Sequence, residues 1–334
     1  MFGIARLVAL GLLAVVVGAT ARAEEPLKAR IGVLRLSSSA PVFIAQDKGY
    51  FRDAGLEIDL KFFDAAQPIA VATTSGDVDF GITAFTAGLY NLAGKGTLKV
   101  IGGMSREKAS YPLIGYFASN SAYAAGLKTP RDLAGKRVAV TQVGSSFHYS
   151  LGLLADKYGF KLGDVKVIPL QSLSNAAAAL KGETVDAALL PASTARKLMD
   201  DGGAKLLGWV GDETPWQLGA VFASPKTLAN KALVTKLLAA LERADREYHD
   251  VILASVKDGA APINDKTKPL LDIIAKYTNL PVEQVVGNCA YIDPDGKLDV
   301  KNVANQISWL QEQGFVDKGF GVDAIIAKEY VKPD

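Results

Sequence analysis

Residues 37–56 read SSSAPVFIAQDKGYFRDAGL and follow a short apolar run, residues 29–36, that has the character of a strand. Three serines lead into a helix whose second residue is Pro41. Proline suits a first helical turn because its missing N–H would have had no intrahelical partner there. Ile44 and Phe51, like Phe43 and Tyr50, stand seven residues apart and form an apolar band along one side of the helix, which Gly55 closes. A strand, a hydroxyl-rich turn and a helix N-terminus together suit a small anion, since unpaired N–H groups point out at that end. An ordinary strand-to-helix connection has the same local chemistry, and the stretch alone leaves both readings open.

Outward from this unit the pattern continues as strand (residues 57–63), turn (64–67), helix (68–75), strand (78–82), helix (83–92) and strand (98–102). Such alternation predicts an α/β fold with a mainly parallel sheet. Ligands in these sheets meet the carboxyl ends of the strands, here residues 37–39, 64–67 and 83–85. The pattern then returns. VATTSGDVDFGI at 71–82 is echoed by AALKGETVDAAL at 178–189, with Asp79 and Asp186 107 residues apart, and residues 138–160 stand where 33–51 stood. Two lobes of one topology are expected, the second contributing strand ends at 141–147 and 190–193, with crossings at 112–117 and 217–223 that permit a hinge. Residues 24–112 and 218–334 would form the first lobe and 113–217 the second. From Ser224 onward long helices are expected, including 268–278 and 298–313, as a cap returning to the first lobe.

Residues 1–23 combine a basic head with Arg6, an apolar run at 7–19 and Ala21-Arg22-Ala23. This is the pattern of a secretory signal cleaved before Glu24. The run is shorter than the roughly 20 apolar residues that a bilayer-spanning helix needs. Cys289 is the only cysteine, so neither a lipid anchor at the cleavage site nor an internal disulfide is expected. An exported, unanchored, periplasmic protein follows. Without Arg6 and Arg22, 35 basic residues face 35 acidic ones, a balance that argues against nucleic acid or an anionic membrane as partner.

Several chemical signatures fail. His148 stands where a nucleophile elbow needs glycine. Gly319, Gly321 and Ala324 have dinucleotide spacing without a preceding strand. Asp293, Asp295 and Asp299 suggest a calcium loop, but Lys297 occupies a ligand position and Ala304 replaces the bidentate glutamate. Two histidines and one cysteine make a zinc site improbable, so no metal, cofactor or catalytic residue is assigned. GSSFHYS at 144–150 is the remaining candidate, either as a ligand contact or as a simple N-cap.

APVFIAQDKGYFRDAGLEIDL, SGDVDFGI, LAGKRVAVTQVGSSFHYSL and VDAALLP together resemble the periplasmic substrate-binding proteins of ABC importers for nitrate, sulfonates, taurine and thiamine-pyrimidine precursors. The resemblance implies the two-lobe type II periplasmic-binding-protein fold, closing on its ligand about two crossing segments. It also implies no enzymatic activity, a monomer and a membrane permease as partner. Ligand contacts carried over by it are Ser38, Ser39 and Pro41, then Asp64 and Gln67, then Thr83 and Ala84. The second lobe would add Gly144, Ser145, Ser146 and His148, with Pro191 and Ala192. Converging helix N-termini favour an anion, with Arg35 or Arg196 as a possible counter-charge. Phe43, Phe85, Tyr111, Phe147, Tyr149 and Trp216 are candidate rings for an organic sulfonate or carboxylate with apolar bulk. Alternatives are a pyrimidine-precursor binding protein, a related-fold pyrimidine-forming enzyme, whose cysteine-rich motif is missing from this sequence, and the ligand-sensing subunit of a signalling system.

Overall fold

A computed structural model describes residues 25–334. The export signal read over residues 1–23 lies outside the described residues. The leading strand β1 (Leu27–Leu34) pairs in parallel with β2 (Leu56–Phe63) on one side and β3 (Phe80–Ala84) on the other. Beyond β3 come β12 and, at the edge, β4 (Lys99–Gly103), giving the order β2-β1-β3-β12-β4; β12 (Gly219–Ala223) runs antiparallel to both neighbours.

A second sheet repeats this plan. It contains β6 (Ile114–Ala118), β7 (Arg137–Val140), β8 (Lys166–Pro169), β9 (Ala187–Pro191) and β10 (Lys205–Trp209). Its order is β8-β7-β9-β6-β10, with β6 as the antiparallel strand.

The repeated Val-Asp motif has a structural reason. Asp79, just before β3, accepts from the backbone N–H of Arg30 on β1 at 2.8 Å and from its guanidinium, while its own N–H donates to the Arg30 carbonyl at 2.9 Å. In the second sheet Asp186 and Arg137 form the same clasp, at 2.7 and 2.9 Å. An aspartate one residue ahead of the third strand thus locks the register of the first. Both guanidinium groups are substantially exposed, so the ion-pair component is small.

Two expectations are corrected. The helix expected to run unbroken from Pro41 to Gly55 ends at Asp47 and resumes as Tyr50–Asp53, because Gly49 between them is left-handed, at φ 77°. The expected crossings also shift. Most of residues 112–117 and 217–223 lie in β6 and β12, the antiparallel strand of each sheet. The lobes are joined instead through a small sheet in which β5 (Ser105–Glu107) pairs with β11 (Trp216–Gln217) and β13 (Tyr291–Ile292).

The Lys231–Val251 helix lays Leu233, Leu237, Leu241, Ala244 and Tyr248 on the first sheet, as its spacing predicts. The Val300–Glu312 helix serves both lobes. Gln306 accepts from the Tyr90 hydroxyl at 2.8 Å, and Trp309 donates to Asp156 in the second lobe at 2.9 Å. One apolar cluster therefore runs through Tyr90, Tyr149, Trp216 and Ile307 without a break between lobes. Cys289 is buried at 2% exposure and its thiol is pushed up to about 12 by desolvation, as suits a small core residue. No helix among the described residues is long and apolar enough to cross a membrane.

Candidate functional site

The carboxyl ends of the strands in both sheets face one another across a cavity. Each wall is a helix start, because in a βαβ unit every strand that ends there hands over to a helix. From the first lobe come Ser39 ahead of Ala40–Asp47, Ala66 and Gln67 opening Ala66–Ser75, and Thr86 capping Ala87–Gly94. From the second come Ser145 and Ser146 at the start of Ser146–Tyr158, Leu173 opening Leu173–Lys181, and Pro191 ahead of Ala192–Asp200. Six helix N-termini thus converge, each carrying partial positive charge and N–H groups without intrahelical acceptors.

Among the described residues no charged side chain lines the cavity. Its polar groups are hydroxyls and amides. Thr83 is 8% exposed, and its buried Oγ1 has no hydrogen-bond partner among the described residues. Gln67 is held in place, its Oε1 accepting from the Thr86 hydroxyl at 2.5 Å. The rest of the wall is apolar, with Leu34 and Leu36 from the first lobe, Phe147 from the second, and Leu113 and Leu218 beside the joining strands.

Of the residues expected at the site, Ser38, Ser39, Gln67, Thr83, Ala84, Ser145, Ser146 and Pro191 line this cavity. Pro41, Asp64, Gly144, His148 and Ala192 do not. Asp64 lines an outer hollow at the cleft mouth with Arg35 and Phe62. The Ala192 N–H donates to Leu113 O at 2.8 Å. Gly144 touches the opposite lobe, its carbonyl accepting from the Ala87 N–H at 2.8 Å, so the lobes meet directly over the cavity.

His148 lies behind the wall. Its Nδ1 accepts from the Gly144 N–H at 3.0 Å and its ring packs on Phe315 at 4.9 Å. That hydrogen bond requires a neutral ring with its proton on Nε2. Burial pulls the His148 pKa below the ordinary histidine value. The unfolded chain therefore takes up a proton at a pH where the folded chain does not. The resulting stability is present above the ordinary histidine pKa and lost as pH falls towards the lowered one. Glutamine at 148 keeps an acceptor for Gly144 but cannot titrate. The melting temperature of the wild type should fall relative to His148→Gln between about pH 7.5 and pH 5.5. A difference independent of pH would mean the ring is not held neutral.

The counter-charge expectation is not met at the cavity. The Arg35 guanidinium stacks 3.6 Å over the Phe62 ring and donates to Tyr277 O at 3.1 Å, whereas Arg196 packs against Gly287. Among the candidate rings only Phe147 reaches the wall. Phe43 stacks on Tyr277, Phe85 on Tyr90, and Tyr149 meets Trp216 edge-on, all as core pairs. Sequence reasoning missed Met104, Ser105, Leu113 and Leu218, which lie in or beside the strands joining the lobes. It also missed Thr86, although a threonine two residues past a strand and ahead of an apolar helix is a readable N-cap.

Comparison with known proteins adds relatives to this geometry. A model of the NMT1/THI5-like family matches residues 37–250. The taurine-binding periplasmic protein of Escherichia coli (strain K12) is 30% identical over 169 residues, which cover 50% of this chain and 49% of that protein. The chain thus spans about half the length of the curated relatives it matches. Among solved structures, the alkanesulfonate-binding protein SsuA from Xanthomonas axonopodis pv. citri bound to MOPS superposes with a TM-score of 0.70 at 22% identity, covering 93% of this chain and 100% of that one. The periplasmic nitrate-binding protein NrtA from Synechocystis PCC 6803 gives 0.70 at 14% identity, over 91% of this chain and 86% of that one. These likenesses establish the periplasmic-binding-protein fold.

Proposed function

The chain belongs to the NMT1/THI5-like family, and from that premise we propose that it is the exported, periplasmic substrate-binding component of an ABC importer, capturing a small organic anion between its lobes and delivering it to a permease. The observation that carries this reading is the convergence of six helix N-termini on a cavity without a charged side chain. Such a site holds negative charge by backbone N–H groups and helix dipoles, and needs no buried cation. A buried arginine would bring a desolvation cost of its own.

The apolar half of the lining gives hydrocarbon a place to lie. A sulfonate or carboxylate with an alkyl or aryl tail fits both halves, whereas bare nitrate would leave the apolar walls uncovered. Thr83 Oγ1 and Ser146, one from each lobe, would contact the same ligand and so reward closure. The names of the two sulfur-oxyanion relatives, taurine-binding and alkanesulfonate-binding, support this ligand class. Acting as a monomer, the closed form would be the one a permease recognises.

A thermal-shift screen tests this directly. Alkanesulfonates and aryl carboxylates are compared with nitrate and with neutral alcohols and amides of the same shape. A ligand at 100 times its Kd should stabilise by about 2.7 kcal/mol. Ser146→Ala and Thr83→Val should each weaken binding by about 1–3 kcal/mol. If the neutral isosteres stabilise as well as the anions, the anionic reading is wrong.

A further inference from the structure

Behind the first lobe's share of the ligand cavity lies a second, small hollow, separated from it by Met104, which lines both. Its floor is one face of the Lys231–Val251 helix, where Leu238, Leu241, Glu242 and Asp245 follow at helical spacing. Its roof is the end of β4 and the turn at Asp295 and Gly296.

Asp245 is the unusual group here. It is 3% exposed, and its buried Oδ1 has no hydrogen-bond partner among the described residues. The other acids nearby are already engaged. Glu242 pairs with Arg246 and, at 2.6 Å, with Lys332; Asp295 pairs with Arg246 at 2.9 Å; Asp293 accepts from the N–H groups of Asp295 and Lys297. Among these acids Asp245 alone keeps its acceptor free, in a hollow whose other walls include Leu238, Leu241, Val221, Tyr330 and Lys332, whose ammonium is held by Glu242.

We infer that this hollow is a second binding site, taking a small alkylammonium cation whose charge meets Asp245 and whose hydrocarbon lies on Leu238 and Leu241. A buried acceptor with no partner is costly unless something donates to it. A calcium or magnesium ion needs about six oxygen ligands. Among the described residues no group of three or more His, Cys, Asp or Glu is arranged to hold a metal. An ammonium group needs fewer acceptors, and its alkyl part makes use of leucine walls that a bare ion would waste.

Burial, with Asp293 and Glu242 close by, pushes the Asp245 carboxyl well above its ordinary range, and Lys332 opposes this. Binding of the cation should therefore strengthen as pH rises and Asp245 ionises.

The test is isothermal titration of the purified protein with n-propylammonium chloride at matched ionic strength, beside n-propanol, potassium chloride and magnesium chloride. The site requires saturable binding of the amine and none of the alcohol. It also requires at least about tenfold weaker binding in Asp245→Asn, where the charge partner is gone. Leu238→Trp, which narrows the hollow and leaves the acid in place, should weaken the amine as well and keeps the test decisive if Asp245→Asn does not fold. Ser146→Ala should bind the amine unchanged, which separates this site from the anion cavity. No saturable binding of the amine, equal binding by Asp245→Asn, or saturable binding of magnesium in its place would overturn the inference.

Discussion

Replacing Gly144 by valine should give a protein that folds but binds its ligand roughly 30-fold more weakly, the equivalent of about 2 kcal/mol lost from the closed form. Gly144 is left-handed, at φ 75°, and a Cβ placed there would stand 2.7 Å from the Ala87 Cβ of the opposite lobe. Its carbonyl also accepts the Ala87 N–H that joins the lobes. The substitution has two separable costs. The left-handed backbone disfavours any side chain by about 1–2 kcal/mol, whether the lobes are open or closed. The collision with Ala87 arises only when they meet, and the hinge relieves it by opening. Titration with the anion selected by the thermal-shift screen reads the second cost, and the melting temperature without ligand reads the first. Wild-type affinity in Gly144→Val would mean that closure does not bring Gly144 against Ala87.

Gly152→Val should lower stability by about 3 kcal/mol, or roughly 5 °C in Tm for a chain of this size. Helix propensity alone would favour valine over glycine in mid-helix by a few tenths of a kcal/mol. Packing decides the sign, because a Cβ at Gly152 would lie 1.9 Å from the Trp309 ring. Trp309 would have to leave its hydrogen bond to Asp156 and its edge-on contact with Tyr149 at 5.2 Å. Removing the indole should relieve that clash. The double variant Gly152→Val, Trp309→Ala is therefore expected to be clearly more stable than the sum of the two single losses. Additive losses, or an unchanged Tm in Gly152→Val, would show that Trp309 does not sit over this glycine.

Part of the cavity was legible because one of its hydroxyls caps a helix within a segment that reads as a helix start, and caps are written locally. Ser145 accepts from the His148 N–H three residues on. The same local logic misplaced His148. A histidine four residues into GSSFH looks like a ligand contact, and only the folded turn reveals that its Nδ1 is occupied by the Gly144 N–H behind the wall. The aromatic residues misled for a related reason. Phe43, Phe85 and Tyr149 are near strand ends in the chain but point into cores, and chain position does not specify side-chain direction across two packed layers.

What the sequence determined by itself is the alternation of strands and helices, the helix starts at Ala40 and Ser146, and the twofold recurrence of the Val-Asp motif. Each depends on residues a few positions apart or on a pattern that repeats along the chain. Tertiary structure alone decided that the cavity has no charged side chain, because Arg35 and Arg196 are drawn to Phe62 and to the segment at Gly287, far along the chain from their own strand ends. It alone decided that β5 and β11 form the joint, since β5 pairs with β11 about 110 residues further on and with β13 about 185 residues further on. And it alone left Asp245 without a donor. Whether a buried carboxylate is paired depends on every element packed against it, and those elements come from opposite ends of the chain.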